Sequence, residues 1–168
     1  MSRLPRKYQA LVVDDFAEHC ILLACAMRQT QWLQAVHSVT TGREAINYLV
    51  GNGGYADRQR FPFPDVVVTE LDMPSLESQK LLLGLGVGLS YLPLLVVLTG
   101  SPCPKDRQAA RRAGADAYFT KPERFCDLVV IAQTIEQLTL RADNCSEAGW
   151  RDGGREQRKQ ASRVTTFQ

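Results

Sequence analysis

Four short polar runs between residues 12 and 122 carry the side chains that could do chemistry. Each follows or ends an apolar run of the kind that forms a buried strand. The runs are Val12-Val13-Asp14-Asp15, Val68-Thr69-Glu70-Leu71-Asp72-Met73-Pro74, Leu98-Thr99-Gly100 and Phe119-Thr120-Lys121-Pro122. In open α/β sheets the carboxyl ends of parallel strands form the ligand-binding edge. We therefore expect clustered carboxylates, a hydroxyl and a lysine in one pocket, which suits phosphate and a hard cation such as Mg²⁺.

The elements that must position these runs alternate along the chain. Apolar runs that predict strands covered on both faces are Ala10–Val13, Ala35–Val39, Asp65–Thr69, Leu94–Leu98 and Ala117–Phe119. A helical pattern follows Asp15, with Ile21, Leu22, Cys25 and Met27 at helical spacing. Four further helical patterns cover 43–50, 81–89, Pro104–Ala113 and Phe125–Leu140. Five strands alternating with five helices predict a single flavodoxin-like domain of the α/β class with a doubly wound parallel sheet.

Composition limits the function classes. The chain has 168 residues, 45% of them hydrophobic, and a net charge of +2. Residues 1–140 carry 14 basic and 14 acidic side chains, so no strong attraction to nucleic acid or membranes is expected. No apolar run approaches the ~20 residues of a membrane span. We expect a cytoplasmic domain over 1–140 with free thiols. The polar tail over 141–168 is expected to be disordered or to become ordered on a partner, and it is too short for a DNA-binding domain.

The order, spacing and chemistry of the four runs resemble the receiver domain of bacterial two-component response regulators, of the chemotaxis-regulator type. The resemblance implies that Asp15 is a direct Mg²⁺ ligand and Asp14 a water-mediated one; N-capping of the next helix is the alternative role for both. It also implies that the Thr99 hydroxyl bonds a phosphoryl oxygen, that Lys121 pairs with the phosphoacceptor, and that the Tyr118 rotamer is coupled to Thr99.

The phosphoacceptor position is the main departure from the family. The family has Asp three residues before Met-Pro, where this chain has Glu70. Phosphoryl transfer depends on in-line positioning, and a displacement on the order of an ångström costs about a hundredfold in rate. We expect phosphorylation to be impaired, with Glu70 either mimicking the activated state or belonging to an inert scaffold. Asp72, whose position provides a metal ligand in the family, is the alternative acceptor.

Other departures concern the loops. After Thr99 the family usually has a small residue, often Ala, where this chain has Gly100. Ser75-Leu76-Glu77-Ser78 replaces the usual Gly-x-Asp-Gly. The insertion at 51–64 resembles that of receivers associated with phytochrome-type histidine kinases. His19 and His37 have no partner pattern that would predict a phosphorelay histidine.

The leading interpretation is a stand-alone, atypical receiver in a two-component phosphorelay that acts by protein–protein interaction rather than as an enzyme. Its partner would be a sensor histidine kinase or a downstream signalling protein, bound by the face over Pro104–Ala113, Ala117–Phe119 and Phe125–Leu140; that face could also form a homodimer. Mg²⁺ binding would persist, weaken or be absent. The alternatives are an ordinary receiver that uses Glu70 or Asp72, and a Mg²⁺-dependent phosphohydrolase.

Overall fold

A computed structural model of the chain describes residues 7–73 and 92–147. These residues form a five-stranded sheet with α-helices on both faces. The strands are β1 Tyr8–Val13, β2 Leu33–Val39, β3 Val66–Thr69, β4 Leu94–Thr99 and β5 Ala117–Thr120. The α-helices are α1 Ala17–Arg28, α2 Gly42–Val50, α3 Pro104–Ala113 and α4 Phe125–Glu147, and a short 3-10 helix covers Gly53–Tyr55.

The sheet is parallel throughout, in the order β2-β1-β3-β4-β5. This confirms the predicted α/β class and the flavodoxin-like doubly wound topology, with four α-helices in the described part of the chain. The helix predicted over 81–89 lies outside the described residues, as do Pro74 and the Ser75–Ser78 loop. In these same described ranges, no helix is long and apolar enough to cross a membrane.

Successive residues of the central strands bury their side chains on opposite faces of the sheet, as the pleat requires. Val12 and Val68 pack toward α1 and α4, in a core that includes Leu23 and Ile135. The alternate strand residues pack toward α2 and α3, in a second core of Leu11, Val13, Val67, Leu95, Val97, Tyr48 and Tyr118. Burial on both faces explains why these strands are continuous apolar runs.

Two helices differ from their predicted form. In α1, Ile21 and Leu22 are exposed, and the buried positions are Cys20, Leu23, Ala24, Ala26 and Met27. Helix α4 runs to Glu147, seven residues past the predicted end at Leu140. The extra turns are held to the amino-terminal edge of the sheet, where the Tyr8 hydroxyl donates to Asp143 at 2.9 Å. The helix therefore continues into the segment predicted as a tail.

The insertion at 51–64 folds onto α2, and one of its arginines makes several of the contacts. The Arg58 guanidinium donates to the carbonyls of Tyr48 at 2.7 Å, Leu49 at 2.8 Å and Phe61 at 3.3 Å. It thereby adds a charged donor to carbonyls in the last turn of α2, where the helix supplies few N–H partners. Gly51 ends α2 at φ 72°, and a Cβ there would lie 2.8 Å from the Arg58 guanidinium, so this corner needs glycine.

Arg58→Ala is expected to destabilise the fold by about 2 kcal/mol, because hydrogen bonds from a charged donor contribute about 1.5–3 kcal/mol. Urea unfolding followed by circular dichroism measures the change. Arg60→Ala is the matched control, since Arg60 is exposed and only stacks on Phe61. Equal losses in the two variants would contradict the proposed anchoring role of Arg58.

Candidate functional site

The carboxyl ends of β1, β3, β4 and β5 bring the predicted site residues to one edge of the sheet. Val13 pairs with Thr69, so the residues that follow them, Asp14 and Glu70, are neighbours. The strand pairing continues one residue further, since the Glu70 N–H donates to the Val13 carbonyl at 2.8 Å. On the other side, the Lys121 N–H donates to the Thr99 carbonyl at 2.7 Å.

Lys121 joins the two buried acids. Its ammonium lies 2.6 Å from Asp14 Oδ2 and 2.6 Å from Glu70 Oε2. The carboxylate side chains are each 7% exposed and the lysine 19%, so these contacts are largely shielded from solvent. Glu70 therefore faces the other strand ends, as its position in the sequence predicts.

The second oxygen of Glu70 is also fully engaged. Oε1 accepts the backbone N–H groups of Leu71 at 2.6 Å and Asp72 at 3.1 Å. The Thr99 hydroxyl faces the Glu70 carboxylate and helps to lower its pKa. Two amides, a hydroxyl and an ammonium thus converge on one carboxylate, which is a set of donors suited to an anion.

These contacts set the charge of the pocket. Burial raises the pKa of Glu70, but the hydrogen bonds from Lys121, Thr99, Asp72 and Leu71 outweigh it, so its pKa lies below the ordinary value. Burial likewise lowers the pKa of Lys121, and its bonds to Asp14 and Glu70 reverse the effect and raise it. Both groups are charged at neutral pH, as an ion pair requires.

The lowered pKa of Glu70 predicts an acid-dependent loss of stability. A carboxyl whose pKa is lower in the folded state stabilises the fold above its unfolded pKa, about 4.3, and loses this contribution as the pH falls through the folded value. Glu70→Gln removes the titrating group. Thermal unfolding should therefore show wild type more stable than Glu70→Gln at pH 6–8, with the difference shrinking below about pH 4.3. If the difference in stability between wild type and Glu70→Gln did not depend on pH, the pairing of Glu70 with Lys121 would be contradicted.

Thr99 and Tyr118 are connected through the loop that follows β4. Thr99 Oγ1 accepts the Ser101 N–H at 3.3 Å, and the Tyr118 hydroxyl donates to the Ser101 carbonyl at 2.8 Å. Tyr118 is fully buried, and the Arg107 guanidinium lies 5.4 Å from its ring centroid. A path of direct contacts thus runs from Glu70 to helix α3.

In the part of the chain that the structure describes, the acids do not form an open carboxylate cluster of the kind that holds a divalent cation. Asp15 is only partly buried and Asp72 is exposed, whereas Asp14 is paired with Lys121. Across residues 7–73 and 92–147, no group of three or more His, Cys, Asp or Glu side chains is placed to hold a metal ion. Asp14 also has a local role, since its Oδ1 accepts the Phe16 N–H at 2.9 Å immediately before α1.

His19 belongs to the site although the sequence did not predict it. Its Nδ1 lies 2.9 Å from the Lys121 ammonium and 3.2 Å from Asp14 Oδ1. The ring also packs against Phe16 in a tilted arrangement, with 5.1 Å between centroids. The usable signal is position, because His19 lies on the first turn of the helix that follows Asp14.

Comparison with known proteins gives a consistent set of relatives. No protein-family model matches the chain. The phosphorylated cyanobacterial phytochrome response regulator RcpA has a TM-score of 0.70 at 25% identity, over 80% of this chain and 95% of that one. The bacteriophytochrome response regulator AtBRR has a TM-score of 0.61 at 26% identity, over 77% of this chain and 92% of that one. The phytochrome-associated receivers indicated by the 51–64 insertion are thus among the matches.

A curated relative, the probable transcriptional regulatory protein TcrX of Mycobacterium tuberculosis, is 33% identical over 129 residues, or 77% of this chain. The match covers 50% of TcrX. A second, the protein-glutamate methylesterase/protein-glutamine glutaminase of group 2 operon from Rhodospirillum centenum, is 29% identical, and the match covers 37% of it. The chain therefore spans half or less of the length of these curated relatives.

Proposed function

The chain has the receiver-domain fold of bacterial response regulators, and we propose that it works in two-component signalling as an atypical receiver that needs no phosphorylation. In this proposal the Glu70 carboxylate takes the place of a phosphoryl group and holds the domain in an activated arrangement. The output is protein–protein interaction rather than turnover of a substrate.

The convergence of donors on Glu70 carries this proposal. A phosphoryl group on a shorter acid would need an ammonium, a hydroxyl and backbone amides around its oxygens. Lys121, Thr99 and the amides of Leu71 and Asp72 already bond the Glu70 carboxylate. The extra methylene of glutamate therefore brings its own negative charge to the donors.

The link from Thr99 to Tyr118 supports a signalling role over an inert scaffold. Thr99 accepts a hydrogen bond from Ser101 in the loop after β4, and the same loop accepts one from the Tyr118 hydroxyl. Tyr118 is fully buried. Tyr118 is on β5, which forms one face of the domain together with α3 and α4. This face exposes Phe125 and Val130. We propose this face as the site that binds a histidine kinase, a downstream protein or a second copy of the chain.

Incubation of the full chain with acetyl phosphate and Mg²⁺, followed by intact-mass measurement, tests the proposal. We expect wild type to remain unmodified. A stoichiometric phosphoryl adduct would overturn it, and mapping the modified carboxyl to Glu70 or Asp72 would establish the ordinary receiver instead. Steady-state release of phosphate from an aryl phosphate would instead favour a phosphohydrolase.

A further inference from the structure

Lys121 lies where a cation is needed between the two buried acids. Its ammonium contacts one oxygen of Asp14 and one of Glu70, each at 2.6 Å, and His19 Nδ1 at 2.9 Å. Clustered carboxylates repel one another unless a positive charge lies between them. Here that charge comes from the chain itself.

The remaining carboxylate oxygens are already bonded to the backbone. Asp14 Oδ1 accepts the Phe16 N–H, and Glu70 Oε1 accepts those of Leu71 and Asp72. Each of the four oxygens thus has at least one protein donor. A metal ion would compete with these donors for the carboxylate oxygens and would also be repelled by the ammonium.

We infer that Lys121 is the resident cation of this pocket, held between Asp14 and Glu70 with His19 against it, and that it substitutes for the divalent metal. This inference rests on the proposed function, because it depends on the same placement of Glu70. It adds that the activated arrangement is independent of metal. Removing the ammonium, or withdrawing the Glu70 carboxylate from it, opens the pocket to a divalent ion.

Titration of the full chain with Mn²⁺ tests this directly. Binding is measured as the loss of the free-ion electron paramagnetic resonance signal. Wild type should not saturate in the low-millimolar range, where weak oxygen-ligand sites bind. Lys121→Met should bind Mn²⁺ at least about tenfold more tightly, or about 1.4 kcal/mol. Lys105→Met, which removes an exposed lysine on α3, should behave as wild type.

Glu70→Asp provides a second route if Lys121→Met does not fold. It should also gain Mn²⁺ affinity and a Mg²⁺-dependent rise in Tm that wild type lacks. Wild-type binding as tight as that of either variant would overturn the inference. If wild type bound Mn²⁺ this tightly but formed no phosphoryl adduct, only the inference would be wrong and the proposed function would stand. A phosphoryl adduct on wild type would overturn the proposed function.

Discussion

Glu70→Asp is expected to convert a chain that takes up no phosphoryl group into one that carries one per molecule. Shortening the side chain by one methylene moves the carboxylate away from the Lys121 ammonium, now 2.6 Å distant, and frees the donors around it. The phosphoryl group of acetyl phosphate would then bond to the shorter carboxylate as acetate leaves. Intact mass measured over time in the presence of Mg²⁺ follows the formation of the adduct. The rate of phosphoryl uptake should rise by at least about a hundredfold over wild type, because a misplacement of about an ångström costs that much in rate.

Glu123→Asp is the matched control, because it makes the same chemical change at an exposed position and should leave the chain unmodified. Combining Glu70→Asp with Asp72→Asn separates the two acids, and the adduct should persist. If Glu70→Asp stays unmodified, the pocket has lost more than its acceptor, and the role given to the single methylene is wrong.

Lys121→Met is expected to cost about 3 kcal/mol of unfolding free energy, since removing one partner of a buried ion pair leaves uncompensated charge. Asp14 and Glu70 would remain 7% exposed with no ammonium between them. The loss should be smaller at acid pH, because protonation of Glu70 removes part of the uncompensated charge. Urea unfolding at two pH values measures both effects.

Lys105→Met is again the control for the unfolding free energy of Lys121→Met. Lys105 is exposed, so its loss should change stability by less than about 0.5 kcal/mol. If the two lysine variants were equally stable, the ammonium would not be balancing the buried carboxylates, and both the mimicry and the metal-free pocket would lose their basis.

The sheet could be predicted from the sequence because its signals are local. Runs such as Val66-Val67-Val68 are buried on both faces, and β-branched residues favour strands. Acidic or basic residues placed just beyond such runs must then meet at one sheet edge, which is why Asp14, Glu70 and Lys121 could be assigned to one pocket. The predicted strands consequently differ from the observed ones by one or two residues at their ends.

The features that the sequence did not predict depend on contacts between distant residues. The buried face of α1 is set by how the helix packs on β1 and α4, so Ile21 and Leu22 were indistinguishable from core residues in the sequence. The extension of α4 is held by Tyr8, 135 positions from Asp143. The role of His19 depends on Lys121, 102 positions away.

Within the site, the ion pair was predictable from the sequence, but the partners of the second Glu70 oxygen were not. A carboxylate at Glu70 and a lysine at 121 predict an ion pair. That the other carboxylate oxygen accepts the amides of Leu71 and Asp72 depends on the rotamer of Glu70 and on the backbone turn after β3. This detail distinguishes a carboxylate that occupies the donors from one that only balances a lysine.

The central claim is that the Glu70 carboxylate occupies the donor set of a phosphoryl group. The most direct test is to add beryllium fluoride and Mg²⁺ to the ¹⁵N-labelled chain and to follow the amide resonances of Leu71, Asp72, Thr99 and Ser101 by NMR. The account predicts that these resonances do not move in wild type. Saturable shifts at these amides would show that the donors are free to bind another anion, and would contradict it.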